Sequence, residues 1–284
     1  MIDPSSLKII AIIQARMGSS RLPDKVMLDI HGKPMLVRVI ERARQAKSLS
    51  AVAVATTSDP AEEPIAQLCA HLHAPCARGS VYDVLDRYHQ TAVEFGAEVV
   101  VRLTADCPLL DPGLIDDAVA AFLDNPTTCG TWTSVYPDAP VLAPTRPEIP
   151  WDFAANRLPP PFHRTYPIGL DVEICTFEAL DRAWREAREP HEREHVMPYL
   201  YETPGRFRCR IGNYGTDFGG QRWTVDTPED LEVVRKVYDA FDGREDFTWL
   251  DVLHLFEGHP ELSEINAGIS HKTFYDVDSR RGGR

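Results

Sequence analysis

Two features of this sequence carry residue types whose spacing can do chemistry. The first is the run Gln14-Ala15-Arg16-Met17-Gly18-Ser19-Ser20-Arg21-Leu22-Pro23-Asp24-Lys25. Its small residues let backbone N–H groups approach an anion, and Arg16, Arg21 and Lys25 can neutralise a triphosphate. It is not a Walker A sequence, since no Gly-Lys-Ser/Thr follows at the required distance, and the chain has no G-x-G-x-x-G. Standing alone, it would read almost as well as a basic surface loop. The second feature is a pair of aspartates, Asp106 in Arg102-Leu103-Thr104-Ala105-Asp106-Cys107-Pro108 and Asp226 in Trp223-Thr224-Val225-Asp226-Thr227-Pro228. Singly, each reads as a turn or cap residue. Together, at strand ends on the phosphate side, they offer hard oxygen ligands to Mg²⁺, which needs few protein ligands when phosphate supplies the rest.

The elements around these residues place them at one end of a sheet. Lys8 to Gln14 (KIIAIIQ) is a near-continuous apolar run and predicts a strand buried on both faces, with the basic loop at its carboxyl end, where α/β folds bind ligands. A helix over Lys33 to Ala46, a strand over Ala51 to Thr56 and a helix opened by Asp59-Pro60 follow. Ser80-x-x-Asp83 predicts a capping-box start to a helix whose apolar residues recur from Val81 to Phe95. A strand over Ala97 to Leu103 leads into the cap pair Asp111-Pro112, and this alternation predicts βαβ units around a mostly parallel sheet. Prolines from 137 to 161 then interrupt the pattern and predict an excursion, a lid or arm. Beyond it come a strand over Leu170 to Cys175, helices over Phe177 to Ala187 and Glu192 to Tyr201, and strands over Phe207 to Ile211 and Arg222 to Val225. Thr227-Pro228-Glu229-Asp230 opens a helix to about Phe241, and the polar residues after about 268 form a frayed tail.

Bulk properties narrow the function classes. With 284 residues the chain can bury a sizeable core. Thirty Lys and Arg against 43 Asp and Glu give a net charge of -13, which argues against nucleic acid or an anionic membrane as partner. No run is long and apolar enough for a membrane span, and the first residues lack a secretory pattern, so the expected location is cytoplasmic. Six cysteines without C-x-x-C pairs read as small buried residues, not as a disulfide framework or zinc site.

The segments QARMGSSRLPDKVMLDIHGKPML, VATTSDPAEEPIA, RGSVYDVLDRY, VRLTADCPLLDP, GLDVEI, EREHVMPYL and WTVDTPEDLE together resemble the SpsF-type branch of the cytidylyltransferase family. That branch is similar to the synthetases of CMP-3-deoxy-manno-octulosonate and CMP-sialic acids. The resemblance implies a Rossmann-like nucleotidyltransferase fold (GT-A-like), a three-layer α/β sandwich with a mostly parallel sheet, spanning residues 1–268 ahead of a tail at 269–284. It implies CMP transfer from CTP to a sugar-acid-like hydroxyl acceptor with release of pyrophosphate, Mg²⁺ as cofactor, and a homodimer. By motif position, Arg16 and Lys25 grip the CTP phosphates and Asp106 and Asp226 bind Mg²⁺. Met17, Gly18, Ser19, Arg21 and Thr104 belong to the same nucleotide-binding set. Ala15, Thr56, Ser58, Arg78, Gly79 and Ser80 border the nucleoside. Asp171, Glu173, Glu194 and His195 are the candidates for the acceptor side.

The sequence departs from that branch between 128 and 165, where a Pro-rich insertion replaces an expected shorter connection. It carries Trp132, Tyr136, Trp151, Phe153 and Phe162 with Arg146, Arg157 and Arg164, suited to a dimer interface or, less so, to an acceptor pocket. His191-Glu192-Arg193-Glu194-His195 is a literal H-E-x-x-H, the zinc-protease pattern. Pro190 and Pro198 confine it and its flanks are charged, so a solvated or acceptor-facing role is the preferred reading. Two further alternatives are a nucleotide-sugar glycosyltransferase of related topology and a non-catalytic nucleotide-binding protein.

Overall fold

In a computed structural model, which describes residues 1–140 and 143–269, the near-continuous apolar runs form the strands at the centre. Ten strands are present among the described residues. They are β1 (Ile9–Gln14), β2 (Asp29–Ile30), β3 (Lys33–Pro34), β4 (Ala51–Thr57), β5 (Cys76–Gly79), β6 (Val99–Thr104), β7 (Thr131–Ser134), β8 (Phe153–Ala155), β9 (Glu173–Thr176) and β10 (Cys209–Asn213). All but the β2–β3 hairpin lie in one sheet of order β5-β4-β1-β6-β9-β8-β10-β7. The β5-β4-β1-β6 half is wholly parallel, with Ile13 opposite Val54 on one side and Leu103 on the other. β9 runs antiparallel between β6 and β8, and β7 closes the far edge antiparallel to β10.

The pleat of β1 divides the core in two. Ile9, Ala11 and Ile13 pack beneath α1 (Met35–Ala43), α2 (Glu63–His71), α4 (Pro112–Phe122), α8 (Pro228–Ala240) and α9 (Trp249–Gly258), with α10 (Glu261–Ile265) at the margin. Ile10 and Ile12 face α3 (Val84–Phe95), α5 (Phe177–Glu186) and the segment through α6 (Pro190–His195) and α7 (Pro198–Tyr201). The result is the three-layer α/β sandwich expected from the pattern.

Several boundaries differ from expectation for local reasons. Asp83, not Ser80, is the N-cap of α3: its carboxylate accepts the Asp86 N–H, while the Ser80 hydroxyl accepts the Asp83 N–H. Arg222 to Val225 is not a ladder strand. Among the described residues only Ile168 bridges it, at Arg222, and Val225 N–H donates to Asp106 O at 2.8 Å. The helix expected over Glu192 to Tyr201 is broken at Val196, whose φ of 72° precedes a 2.9 Å Met197 N–H to His195 O turn bond.

The 128 to 165 segment also differs from a free arm, because β7 and β8 belong to the sheet and Phe153 is fully buried. Trp132 packs on Gly212, Trp151 lies beside the Arg208 and Arg210 guanidiniums, and the Tyr136 hydroxyl donates to Tyr201 O. Four of the cysteines are buried and two half-buried, all as free thiols. Of the expected tail, residues 270–284 lie outside the described residues.

Candidate active site

The loop after β1 is tied down by backbone and by one buried acid. Ala15 N–H donates to Ala55 O, and Met17 accepts at its carbonyl from Ser19 and Asp24. Glu62 turns its carboxylate inward to accept from Met17 N–H at 2.9 Å and from the Thr56 hydroxyl at 3.2 Å. Arg16, Gly18 and Ser20 are left exposed along the loop. Asp24, with φ 55°, then reverses the chain into a short 3-10 turn that brings Lys25 back under the sheet end.

There Lys25 meets both aspartates. Its Nζ donates to Asp106 Oδ2 at 2.9 Å, Asp226 Oδ1 at 2.9 Å and Val225 O at 2.8 Å, which uses all three ammonium protons. Asp106 arrives two residues past β6. Asp226 arrives because the 222–225 segment is pinned to Ile168 and to Asp106 O before Thr227 caps α8. Gly169 makes that pinning possible: at φ 107° an added Cβ would lie 2.7 Å from Thr224 N and from Trp223 C.

Asp226 also accepts from Arg21 at 3.0 Å and Arg222 at 2.9 Å. Arg222 in turn grips Asp230, which is fully buried and accepts the Asp226 and Thr227 N–H groups and the Asn266 amide. Burial raises the Asp226 carboxyl, but Lys25, Arg21 and Arg222 outweigh it, and the net places it below the usual carboxylate range. Burial likewise lowers the Lys25 ammonium, and the two aspartates more than reverse this. Two partly exposed carboxylates converging on one cation fit a Mg²⁺ ion whose remaining ligands are phosphate oxygens. Among the described residues no group of three or more His, Cys, Asp or Glu can hold a metal by itself.

At the start of the loop after β1 is a cavity of about 210 Å³ lined by Gln14, Ala15, Arg16, Val81, Tyr82, Val84, Arg87, Glu194 and His195. It brings the start of the loop after β1 to Glu194 and His195, two of the residues expected on the acceptor side. Its rim is held by a fork from Arg193 on α6 to the Asp83 carboxylate at 2.9 and 2.5 Å. Other expected residues are occupied elsewhere. Thr56 is buried against Glu62. Arg78 reaches Thr57 O, Asp59 O and Glu63, tying β5 to the turn at Ser58. Ser58 N–H donates to Gly79 O, and Gly79 is packed so closely on Arg87 that a Cβ would meet its Cγ at 2.8 Å. The Thr104 hydroxyl pairs with Cys107 Sγ. Asp171 is in a two-point ion pair with Arg164, and Glu173 is buried against Arg102.

The H-E-x-x-H pattern makes no metal pair. His191 Nε2 faces Glu202 at 3.0 Å, Glu192 is buried in the capping box of α6, accepting Arg188 and Glu189 N–H, and His195 lines the cavity with Glu194. Arg87, Tyr82, Arg222 and Asp230 were not singled out from sequence. Arg87 and Tyr82 sit within RGSVYDVLDRY, where helical spacing marked only the apolar residues. Arg222 and Asp230 stand four residues either side of Asp226, a spacing without meaning until the 222–226 segment is known to meet a helix cap.

Comparison with known proteins shows which sequences and folds this chain is similar to. Residues 10–249 match the family model described as cytidylyltransferase. The chain is 26% identical to the spore coat polysaccharide biosynthesis protein SpsF of Bacillus subtilis, over 90% of this chain and 96% of that one. It is 31% identical to the 3-deoxy-manno-octulosonate cytidylyltransferase of Chlorobium chlorochromatii, over 82% and 97%. A cytidylyltransferase structure from Leptospira borgpetersenii superposes with a TM-score of 0.77 at 29% identity, covering 93% of this chain and 100% of that one.

Proposed function

The chain belongs to the cytidylyltransferase family, and from that premise we propose that it transfers CMP from CTP to a hydroxyl of a sugar-acid-like acceptor, releasing pyrophosphate. The same reading makes residues 1–268 one nucleotidyltransferase domain, working in the cytoplasm as a Mg²⁺-dependent homodimer. The observation that carries it is the meeting of Lys25 with Asp106 and Asp226, drawn from three distant motifs to within 2.9 Å.

In this reading Arg16, Arg21 and Lys25 hold the triphosphate along the loop after β1, and Ala15 and Ser80 border the nucleoside. Asp106 and Asp226 are the residues that would hold Mg²⁺, which when bound polarises the α-phosphoryl group and offsets the charge of the departing pyrophosphate. Glu194 and His195 bring the acceptor hydroxyl to the cavity that opens beside Arg16. Asp171 and Glu173 act on the acceptor indirectly, through the arginines they fix. The protein's contribution is positioning and charge stabilisation, and no covalent enzyme intermediate is required.

The test is pyrophosphate release with CTP, UTP, ATP or GTP and Mg²⁺ against pooled 2-keto sugar acids and related hydroxyl compounds. Release that needs CTP and one pool is expected. In Asp106→Ala and Asp226→Ala, turnover should fall by about 10²-fold or more with the circular dichroism spectrum retained. Full turnover in either variant removes the metal assignment, and release of a nucleoside phosphate from a nucleotide-sugar would replace the reaction by glycosyl transfer.

A further inference from the structure

The place between Asp106 and Asp226 already holds a cation that belongs to the chain. Lys25 Nζ bonds one oxygen of each carboxylate and the Val225 carbonyl, with only 12% of its side chain exposed. Around it, Lys25, Arg21 and Arg222 face Asp106, Asp226 and Asp230, three positive groups against three negative ones. A divalent cation arriving alone would bring excess positive charge to a neutralised cluster. It would also have to strip both carboxylates from a largely buried ammonium and leave that ammonium with a single carbonyl. A nucleoside triphosphate changes both terms. Its phosphates supply the missing negative charge and offer the ammonium new acceptors, and the four-carbon stem of Lys25 lets the charge relocate without moving the backbone.

We propose that Lys25 bars a divalent metal from the Asp106–Asp226 pair until a nucleoside triphosphate draws the ammonium away, so that metal enters with nucleotide and not before it. This rests on the metal assignment made above. Mn²⁺ retained with the full chain on ultrafiltration, counted by electron paramagnetic resonance after acid release and corrected against Mn²⁺ and analogue without protein, tests it with and without α,β-methylene-CTP.

Without nucleotide, wild type and Lys25→Arg should bind Mn²⁺ weakly, and Lys25→Met about tenfold or more tightly, a difference typical of one adjacent charge. With the analogue, wild type should bind Mn²⁺ tightly and lose its disadvantage against Lys25→Met. Lys25→Arg keeps the comparison decisive if Lys25→Met fails to fold, because a cation retained at this position must still exclude Mn²⁺ until nucleotide is added. Wild type binding Mn²⁺ equally well with and without the analogue overturns the bar and leaves the metal assignment standing. Absence of Mn²⁺ binding in every sample, analogue included, overturns the metal assignment and the bar with it.

Discussion

A carboxylate such as Asp226 gains or loses worth according to the charges that meet it. Burial raises its folded-state pKa and Lys25, Arg21 and Arg222 lower it more, so it titrates below the unfolded value. A depressed carboxyl contributes stability that is complete above the unfolded value, about 3.9, and is lost as pH falls through the folded one. Lys25 is net raised, so its contribution is complete below its unfolded value of about 10.4 and is lost only as pH climbs through the folded one. The cluster therefore contributes fully across neutral pH and fails first in acid. Urea midpoints of wild type should fall below about pH 4, and Asp226→Asn should show a shallower fall over the same range. An identical acid slope in both chains would remove this account.

At the scale of elements, the site depends on how two ends are fastened. Thr227 caps α8 in a capping box with Asp230, whose carboxylate also holds the Asp226 N–H. Thr227→Ala should cost about 1 kcal/mol in chemical denaturation, with loss of activity out of proportion because Asp226 is the adjoining residue. The Gly169 turn is the second fastening. Gly169→Ala forces a Cβ into the backbone at Trp223 and Thr224 from a positive φ, and should cost about 1–3 kcal/mol. Wild-type stability in that variant would show the 222–226 segment free to give way. The strands β1, β4 and β6 were legible because short near-continuous runs rich in Ile, Val and Thr suit a strand buried on both faces better than a helix. β7 and β8 were not, since four and three residues among prolines carry no readable period.

Over the whole molecule, distant segments are joined by buried arginines that the pattern of α1 does not announce. Arg42 is fully buried and donates to Leu110 O, Glu245 O and Phe247 O. Arg38 beside it donates to Ile30 O, His31 O and Gly243 O and pairs with Glu245. These bonds fix α1 to the loop before α4 and to the connection between α8 and α9. Arg42→Met removes the guanidinium donor from the Leu110 and Phe247 carbonyls and leaves Glu245 O with the Gln45 amide alone, and should lower stability by about 3 kcal/mol or more, read as a shifted urea midpoint at unchanged slope. An unchanged midpoint would mean that water replaces the guanidinium at no cost.

The sequence by itself determined the parallel strands β1, β4 and β6 but not the edge strand β5, the capped helices that begin at Asp111 and Thr227, and the one sheet end where the loop after β1, Asp106 and Asp226 lie. Each follows from local chemistry: period, cap residues and the position of a loop after a buried strand. Only the tertiary structure decided that Lys25 joins the two aspartates and that the 128 to 165 segment completes the sheet. It also decided that Thr56, Arg78, Asp171 and Glu173 are spoken for by neighbours. Those outcomes depend on which charged and polar groups come within hydrogen-bond reach across separations of up to 201 residues, and no periodicity along a chain records such a meeting.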